Sequence, residues 1–121
     1  MRALIVDGAN VVGSRPDGWW RDRAGAALRL WTGLGAAELA HDEVVLVLEG
    51  AARKGVPAGV DGRVRTVHAP GSGDDAIVEA AATRTDEGWD VEVVTADRGL
   101  QARVEAAHAT VVRPSWLLDR L

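Results

Sequence analysis

The sequence predicts a single α/β domain in which a parallel β-sheet carries helices on both faces. Short apolar runs, which suit buried strands, alternate along the chain with longer segments whose apolar residues recur at helical spacing. The first run, residues 3–6, is apolar without interruption, as is typical of a strand buried on both faces at the centre of a parallel sheet. The length of 121 residues, without a linker or repeat, indicates one domain spanning residues 1–121.

The predicted elements alternate between strand and helix along the whole chain. Strands are expected at residues 3–6, 44–48, 64–68, 91–95 and 110–112, and helices at 19–34, 74–87, 98–107 and from 114 onward. Loops are expected at 11–18, 51–62 and 69–73, which contain glycine and proline.

Helical spacing and helix-ending residues support the predicted helices. In the first helix, five apolar residues share one face: Ala24, Ala27, Leu28, Trp31 and Leu34. Glycines 33 and 35 end that helix, and Gly88 follows the second. Pro114 suits the first turn of the terminal helix, because proline is favoured there.

Composition and charge limit the classes of function. The chain has no cysteine, which excludes disulfides and thiolate metal sites and favours a cytoplasmic location. No segment reaches the roughly 18 apolar residues of a membrane span, so no membrane contact is expected. A net charge of −4 argues against a large nucleic-acid surface. However, residues 50–68 hold four basic residues against one acid, and residues 69–97 hold eight carboxylates against one arginine.

Four carboxylates fall in loops that follow predicted strands or precede a predicted helix. Asp7 ends the first strand, Asp74 and Asp75 begin the second helix, and Asp97 follows the fourth strand. The carboxyl ends of parallel strands share one edge of the sheet, where ligands bind. Carboxylates that converge there repel one another unless a cation is present, and hard oxygen ligands suit Mg²⁺ or Mn²⁺.

Each of these acids also has a purely structural explanation. Asp7 could form an Asx turn with the backbone two residues on. Ser72 followed by Asp75 resembles a capping box, and Asp97 could simply cap the helix that begins at Arg98. Capping does not explain why all four should meet at one edge.

Three motifs in this sequence resemble the PIN-like nucleases, within them the NYN group, and most closely its YacP-like bacterial branch. The motifs are VDGANVVG at residues 6–13, SGDDAIV at 72–78 and VVTADR at 93–98. They occur in the order found in that family, and together they cover nearly the whole chain. The resemblance implies a three-layer PIN-like fold with a central parallel sheet of strand order 3-2-1-4-5.

The same resemblance implies a metal-dependent ribonuclease in which Mg²⁺ or Mn²⁺ activates water for attack on a phosphodiester. The partner that it implies is RNA, with ribosome-associated mRNA as one class. By that resemblance the metal ligands and catalytic acids are Asp7, Asp74, Asp75 and Asp97. Asn10 would be a catalytic amide that positions the substrate or supports a ligand. An endoribonuclease that leaves a 5′-phosphate and a 3′-hydroxyl is expected.

Two departures keep an alternative open. Glu49 stands where relatives of this branch often have aspartate, and Gln101 stands where some NYN members carry another acid. A catalytically inactive RNA- or ribosome-binding module would use the same loops without turnover. An aspartyl-nucleophile phosphatase is set aside, because it needs an acid two residues after the nucleophile and Ala9 occupies that position.

Basic and aromatic residues near the proposed edge are candidates for binding RNA. Arginine and lysine contact phosphates without reading sequence. The substrate-binding candidates are Arg15, Arg21, Arg53, Lys54 and Arg98. Trp19 and Trp20 are adjacent, so one is expected to pack inward while the other either stacks on a base or is buried in a homodimer contact.

Overall fold

The computed structural model describes all residues, 1–121, around a six-stranded β-sheet. The strands are β1 (Arg2–Asp7), β2 (Glu43–Leu48), β3 (Gly59–Asp61), β4 (Val64–His68), β5 (Asp90–Val94) and β6 (Thr110–Val112). Their order across the sheet is β3-β4-β2-β1-β5-β6. Strand β1 lies between β2 and β5 and runs parallel to both, with Asp7 opposite Val47 and Val6 opposite Val94.

The sheet differs from the predicted one by its edge strand. Five strands are parallel, in the order β4-β2-β1-β5-β6, but β3 pairs antiparallel with β4 and makes the sheet mixed. The prediction of a loop throughout residues 51–62 is therefore wrong at β3. All three residues of β3 are exposed, so no buried apolar run marks the strand. Gly62, at φ +59, makes the tight turn back into β4.

Five α-helices and two 3₁₀ turns connect the strands. The helices are α1 (Gly8–Gly13), α2 (Arg23–Ala36), α3 (Gly73–Asp86), α4 (Arg98–Ala106) and α5 (Pro114–Leu118). The 3₁₀ turns span Trp19–Arg21 and Gly50–Gly55. None of the helices combines the length and the apolar character that a membrane span requires.

Two helix boundaries correct the prediction. Residues 11–13, predicted as loop, belong to α1, which begins directly after β1 with Asp7 as its N-cap. The predicted helix at 19–34 starts at Arg23, because the side chain of Asp22 accepts a hydrogen bond from the Gly25 backbone N–H at 2.9 Å and caps the helix there.

The helices cover both faces of the sheet and enclose two apolar cores. On one face, α1, α2 and α5 contribute Val11, Leu30 and Leu117 to a core that includes Leu4 and Val6 of β1. On the other face, α3 and α4 pack on a core that is anchored by Ala3 and Ile5 of the same strand. Alternate residues of β1 therefore serve opposite cores, which fixes the strand's position and the place where it ends.

Candidate active site at the end of β1

The carboxyl end of β1 lies where the chain reverses its direction across the sheet. From β1 the chain adds β2 and β4 on one side, and then crosses through α3 to place β5 on the other side. Such a switch point opens a crevice beyond the strand ends, where ligands bind in open α/β sheets. Asp7 is the last residue of β1, Glu49 follows β2, and Thr95 follows β5.

Asp7 is a buried carboxylate held by two hydrogen bonds. Asp7 is only 6% exposed. The Thr95 hydroxyl donates to Oδ2 at 2.9 Å, and the Asn10 backbone N–H donates to Oδ1 at 3.3 Å. The residue is therefore fixed by both the neighbouring strand and the helix that it caps.

The surroundings raise the pKa of Asp7 above its ordinary value. Burial is the largest cause, because it removes water from the charged form. The hydrogen bonds from Thr95 and Asn10 oppose this shift, while the negative charges of Asp74 and Glu49 add to it. Two further carboxylates thus lie close enough to Asp7 to act on its ionisation, and none of the causes is a neighbouring positive charge.

A hydrogen-bond network joins α1 to the loop after β5. The side-chain oxygen of Asn10 accepts from the Ala96 backbone N–H at 2.7 Å. The Thr95 hydroxyl, which donates to Asp7, accepts from the Asp97 backbone N–H at 3.1 Å. The Gln101 amide donates to the Thr95 carbonyl at 3.1 Å. In this arrangement Asn10 and Gln101 hold the backbone beside Asp7.

Asp97 and Asp74 lie at helix starts, as the sequence predicts. The carboxylate of Asp97 accepts from the Leu100 backbone N–H at 2.9 Å and caps α4, so its structural role is met. At α3 the cap is Ser72, whose hydroxyl accepts from the Asp74 backbone N–H at 3.3 Å. No side-chain hydrogen bond or ion pair engages the half-buried Asp74 carboxylate, which acts on Asp7 through its charge.

Asp75 is not brought into this group. Its carboxylate is 2.8 Å from the Arg103 guanidinium on α4, and its side chain is 91% exposed. Glu49, in contrast, lies against the start of α3, with Oε1 3.5 Å from where a Cβ on Gly73 would be. The structure thus gathers Asp7, Asp74 and Glu49 at the edge and directs Asp75 away from it.

No three carboxylates or imidazoles converge closely enough to surround a metal ion. The predicted meeting of four acids at one point is therefore not found. Hydrated Mg²⁺ keeps several waters and needs only one or two protein carboxylates, with phosphate oxygens of a substrate completing its shell. Asp7, beside the charges of Asp74 and Glu49, supplies that kind of donor set.

A groove of about 530 Å³ is lined by Gly8, the residue after Asp7, and by other residues of α1 and of the Gly50–Gly55 turn. Its walls include Gly8, Trp19, Arg23, Glu49 and Arg53. Its volume is in the range that holds a small ligand or a single nucleotide. Of the predicted substrate-binding residues, Arg53 is the one that lines this groove.

The shape of the fold matches that of a solved protein. The chain shares its fold with Rae1 (YacP) from Bacillus subtilis. The two structures superpose with a TM-score of 0.71 at 20% sequence identity, over 98% of this chain and 74% of that one. No protein-family model matches the sequence, and no curated protein matches it. The similarity to Rae1 therefore establishes the fold.

The other predicted binding residues lie elsewhere. Arg15 lines a separate small cavity with Asp17 and Arg29, while Lys54 and Arg98 are exposed and make no ion pair. Outside the groove, Arg21 lies over the Trp20 ring, 5.8 Å from its centroid.

Part of the basic region at residues 50–68 is structural. Arg63 donates to three backbone carbonyls around the end of α2, including that of Leu39 at 2.6 Å. Arg65 pairs with Glu43 at 3.1 Å. The positive charge that remains free for a ligand is that of Arg53 and Lys54.

Two site residues were undervalued by sequence reasoning. Thr95 stands inside the third motif, yet nothing there marks its hydroxyl as the partner of Asp7, because strand neighbours are set by topology. A hydroxyl residue directly after an apolar strand was the available signal. Glu49 counts as a departure from the family motif in the sequence, but its placement after β2 brings its charge to act on Asp7.

Proposed function

We propose that this protein is a metal-dependent ribonuclease that cleaves RNA phosphodiesters internally at the carboxyl end of β1. The observation that carries the proposal is Asp7, a buried carboxylate whose pKa is raised by burial and by the charges of Asp74 and Glu49. Folding holds these like charges together at a cost in stability, and a bound cation would remove that cost.

Two similarities support a nuclease. Three sequence motifs resemble the YacP-like branch of the PIN-like nucleases, and the solved structure that shares the fold carries the name YacP. The motif residues are also those that build the edge, because Asp7, Asp74 and Thr95 belong to one motif each.

Each residue at the end of β1 would have its own role in binding the metal ion or the substrate. Asp7, with Asp74 and Glu49, would hold Mg²⁺ or Mn²⁺ directly or through water. Such an ion supplies a hydroxide nucleophile near neutral pH and stabilises charge on the leaving oxygen. Thr95 keeps Asp7 oriented toward the edge, and Arg53 offers a positive charge to a phosphate in the groove.

Asp97 could serve as a metal ligand, whereas Asp75 could not. Asp97 remains a candidate ligand, since a carboxylate that caps a helix through one oxygen keeps its second oxygen free. Asp75 is left out, because its carboxylate faces Arg103. RNA is the proposed partner, with ribosome-associated mRNA as the class that the motif resemblance implies.

A second function, RNA binding without cleavage, is favoured by two observations. No three acids form a ready metal cage, and Gln101 uses its amide to hold the Thr95 carbonyl. A module of this kind would bind RNA through the same groove and release it intact.

One assay separates the two functions. Labelled RNA is incubated with the wild-type protein and with Asp7→Asn in Mn²⁺, in Mg²⁺ and in chelator, and the ends of any products are identified. A nuclease predicts metal-dependent products with 5′-phosphates that the Asp7→Asn preparation does not make. Intact RNA with wild-type protein in every buffer, or products unaffected by Asp7→Asn, would overturn the proposal.

A further inference from the structure

The groove beside Asp7 has one aromatic wall whose position is fixed on several sides. The Trp19 ring is half-buried, and the Arg23 guanidinium lies over it, 5.0 Å from the ring centroid. Behind it, Gly13 has no side chain, and a Cβ there would already lie 3.7 Å from the ring. The short Trp19–Arg21 turn thus places the indole on the wall of the groove.

The groove also carries a positive charge, that of Arg53, which forms no ion pair. The guanidinium of Arg53 donates to the carbonyls of Gly50 and Ala69, at 3.1 and 3.3 Å. These neutral acceptors fix the guanidinium but leave its charge uncompensated. Arg23 also forms no ion pair, so both arginines of the groove are available to an anion.

A flat aromatic ring, a stacked guanidinium and a second fixed cation suit one kind of ligand. Unpaired nucleobases bind proteins by stacking on aromatic rings and on arginine planes, while arginines contact the adjoining phosphates. The volume of about 530 Å³ admits a single nucleotide, and a base that remains stacked inside a duplex cannot enter it.

Resting on the function proposed above, we propose that this groove is a binding site for one unstacked nucleotide of the RNA. Trp19 and Arg23 take the base, and Arg53 takes a phosphate. Gly8 and Glu49 line the same groove, so the bound nucleotide adjoins Asp7 and delivers a neighbouring phosphodiester to the carboxylates.

The neighbouring tryptophan provides a matched control. Trp20 is also a tryptophan, but it is 56% exposed and does not line the groove. It meets Trp19 edge-on, with 6.0 Å between the ring centroids, so its replacement leaves the Trp19 ring on the groove wall. Affinity for a short labelled single-stranded oligoribonucleotide is measured in chelator by fluorescence anisotropy, so that cleavage does not enter the readout. The proteins compared are wild type, Trp19→Leu and Trp20→Leu, each checked for folding by circular dichroism.

The expected result is a loss of affinity confined to Trp19→Leu. Stacking of one base contributes about 1–3 kcal/mol, which corresponds to a loss of about 5- to 150-fold. Trp20→Leu should stay within about twofold of wild type. If both variants bind as wild type does, the nucleotide site is wrong while the nuclease stands. If wild-type protein binds no oligoribonucleotide, the nucleotide site is wrong, and the cleavage assay in Mn²⁺ and Mg²⁺ decides the nuclease separately.

A measurement on the wild-type protein keeps the test decisive if Trp19→Leu does not fold. Oligonucleotides that lack one base, at each position in turn, are compared with the intact strand. A nucleotide site predicts that at least one abasic position weakens binding several-fold while the backbone charge is unchanged. Equal affinity for all the abasic strands and the intact one would overturn the proposal.

Discussion

Replacing Asp7 and Asp74 by asparagine, singly and together, should reveal a repulsion between the two carboxylates in the metal-free protein. The free energy of unfolding of the four proteins is measured by urea denaturation in chelator at neutral pH. Asp74→Asn alone does not isolate the repulsion, because Asp74 also lies at the start of α3, where a negative charge is favourable by about 0.3–1 kcal/mol. The double-mutant cycle cancels that contribution.

The expected size of the coupling depends on how the charge of Asp74 ranks among the causes that shift the pKa of Asp7. Burial is the largest, the two hydrogen bonds oppose it, and the charge of Asp74 comes after both. Because Asp74 is half-buried and its charge ranks below burial and both hydrogen bonds, we expect a coupling at the lower end of the range for interacting residues, about 0.5–1 kcal/mol. Asp74→Asn should therefore be less destabilising, or more stabilising, with Asp7 present than with Asn at position 7.

Asp75 is the matched control for this cycle. It lies in the same first turn of α3 but pairs with Arg103 at 2.8 Å, and its side chain is 91% exposed. The same cycle with Asp75→Asn should give a coupling with Asp7 of no more than about 0.3 kcal/mol, the level at which independent sites add.

The coupling should also depend on pH with a definite sign. A carboxylate whose folded-state pKa is raised destabilises the fold at pH values above the unfolded pKa, and this penalty is removed as pH falls through the raised folded value. Asp7 is then neutral, so its repulsion with Asp74 should vanish at acidic pH. A coupling with Asp75 of equal size, no coupling with Asp74 at neutral pH, or one that persists when Asp7 is protonated would refute the reasoning.

Three further predictions test the structure around this edge. Thr95→Val should lower the free energy of unfolding by about 1.5–3 kcal/mol at neutral pH, because Asp7 loses a hydrogen bond to its charged form. The loss should be smaller at pH values below the raised pKa of Asp7, and Thr95→Ser should stay close to wild type in urea denaturation. Gly8→Ala should cost about 1–3 kcal/mol, because its Cβ would lie 2.6 Å from a carbonyl of β2, whereas Gly71→Ala, with no atom within 4 Å, should change the urea midpoint little. Changing Arg53 and Lys54 to alanine should weaken RNA binding across sequences and make the slope of log affinity against log salt shallower, and an unchanged slope would mean that neither meets a phosphate.

The fold was predictable where apolar patterns are strong. The buried run at 3–6 and the similar run at 44–48 indicated central strands, and both are buried in the structure. The exposed strand β3 left no such pattern, since its position depends on pairing with β4. The start of α2 was misplaced because the capping by Asp22 outweighed the helical tendency of the residues before it.

The residue types and loop positions of the candidate site were predictable from the sequence, but the directions of the side chains were not. Asp74 and Asp75 are adjacent in one motif, and the sequence gives them equal weight. Successive residues on a helix point in different directions, so one carboxylate acts on Asp7 while the other reaches Arg103. The partnership of Asp7 with Thr95, 88 residues away, required the neighbouring position of β5.

The difference between Asp74 and Asp75 gives the most direct test of the proposed site. Cleavage of labelled RNA in Mn²⁺ is measured for Asp74→Asn and Asp75→Asn, prepared identically and confirmed as folded. The proposal predicts that Asp74→Asn lowers the rate on the order of a hundredfold, whereas Asp75→Asn remains within a few-fold of wild type. A fall with Asp75→Asn and none with Asp74→Asn, or equal rates for all three proteins, would contradict the site at the end of β1.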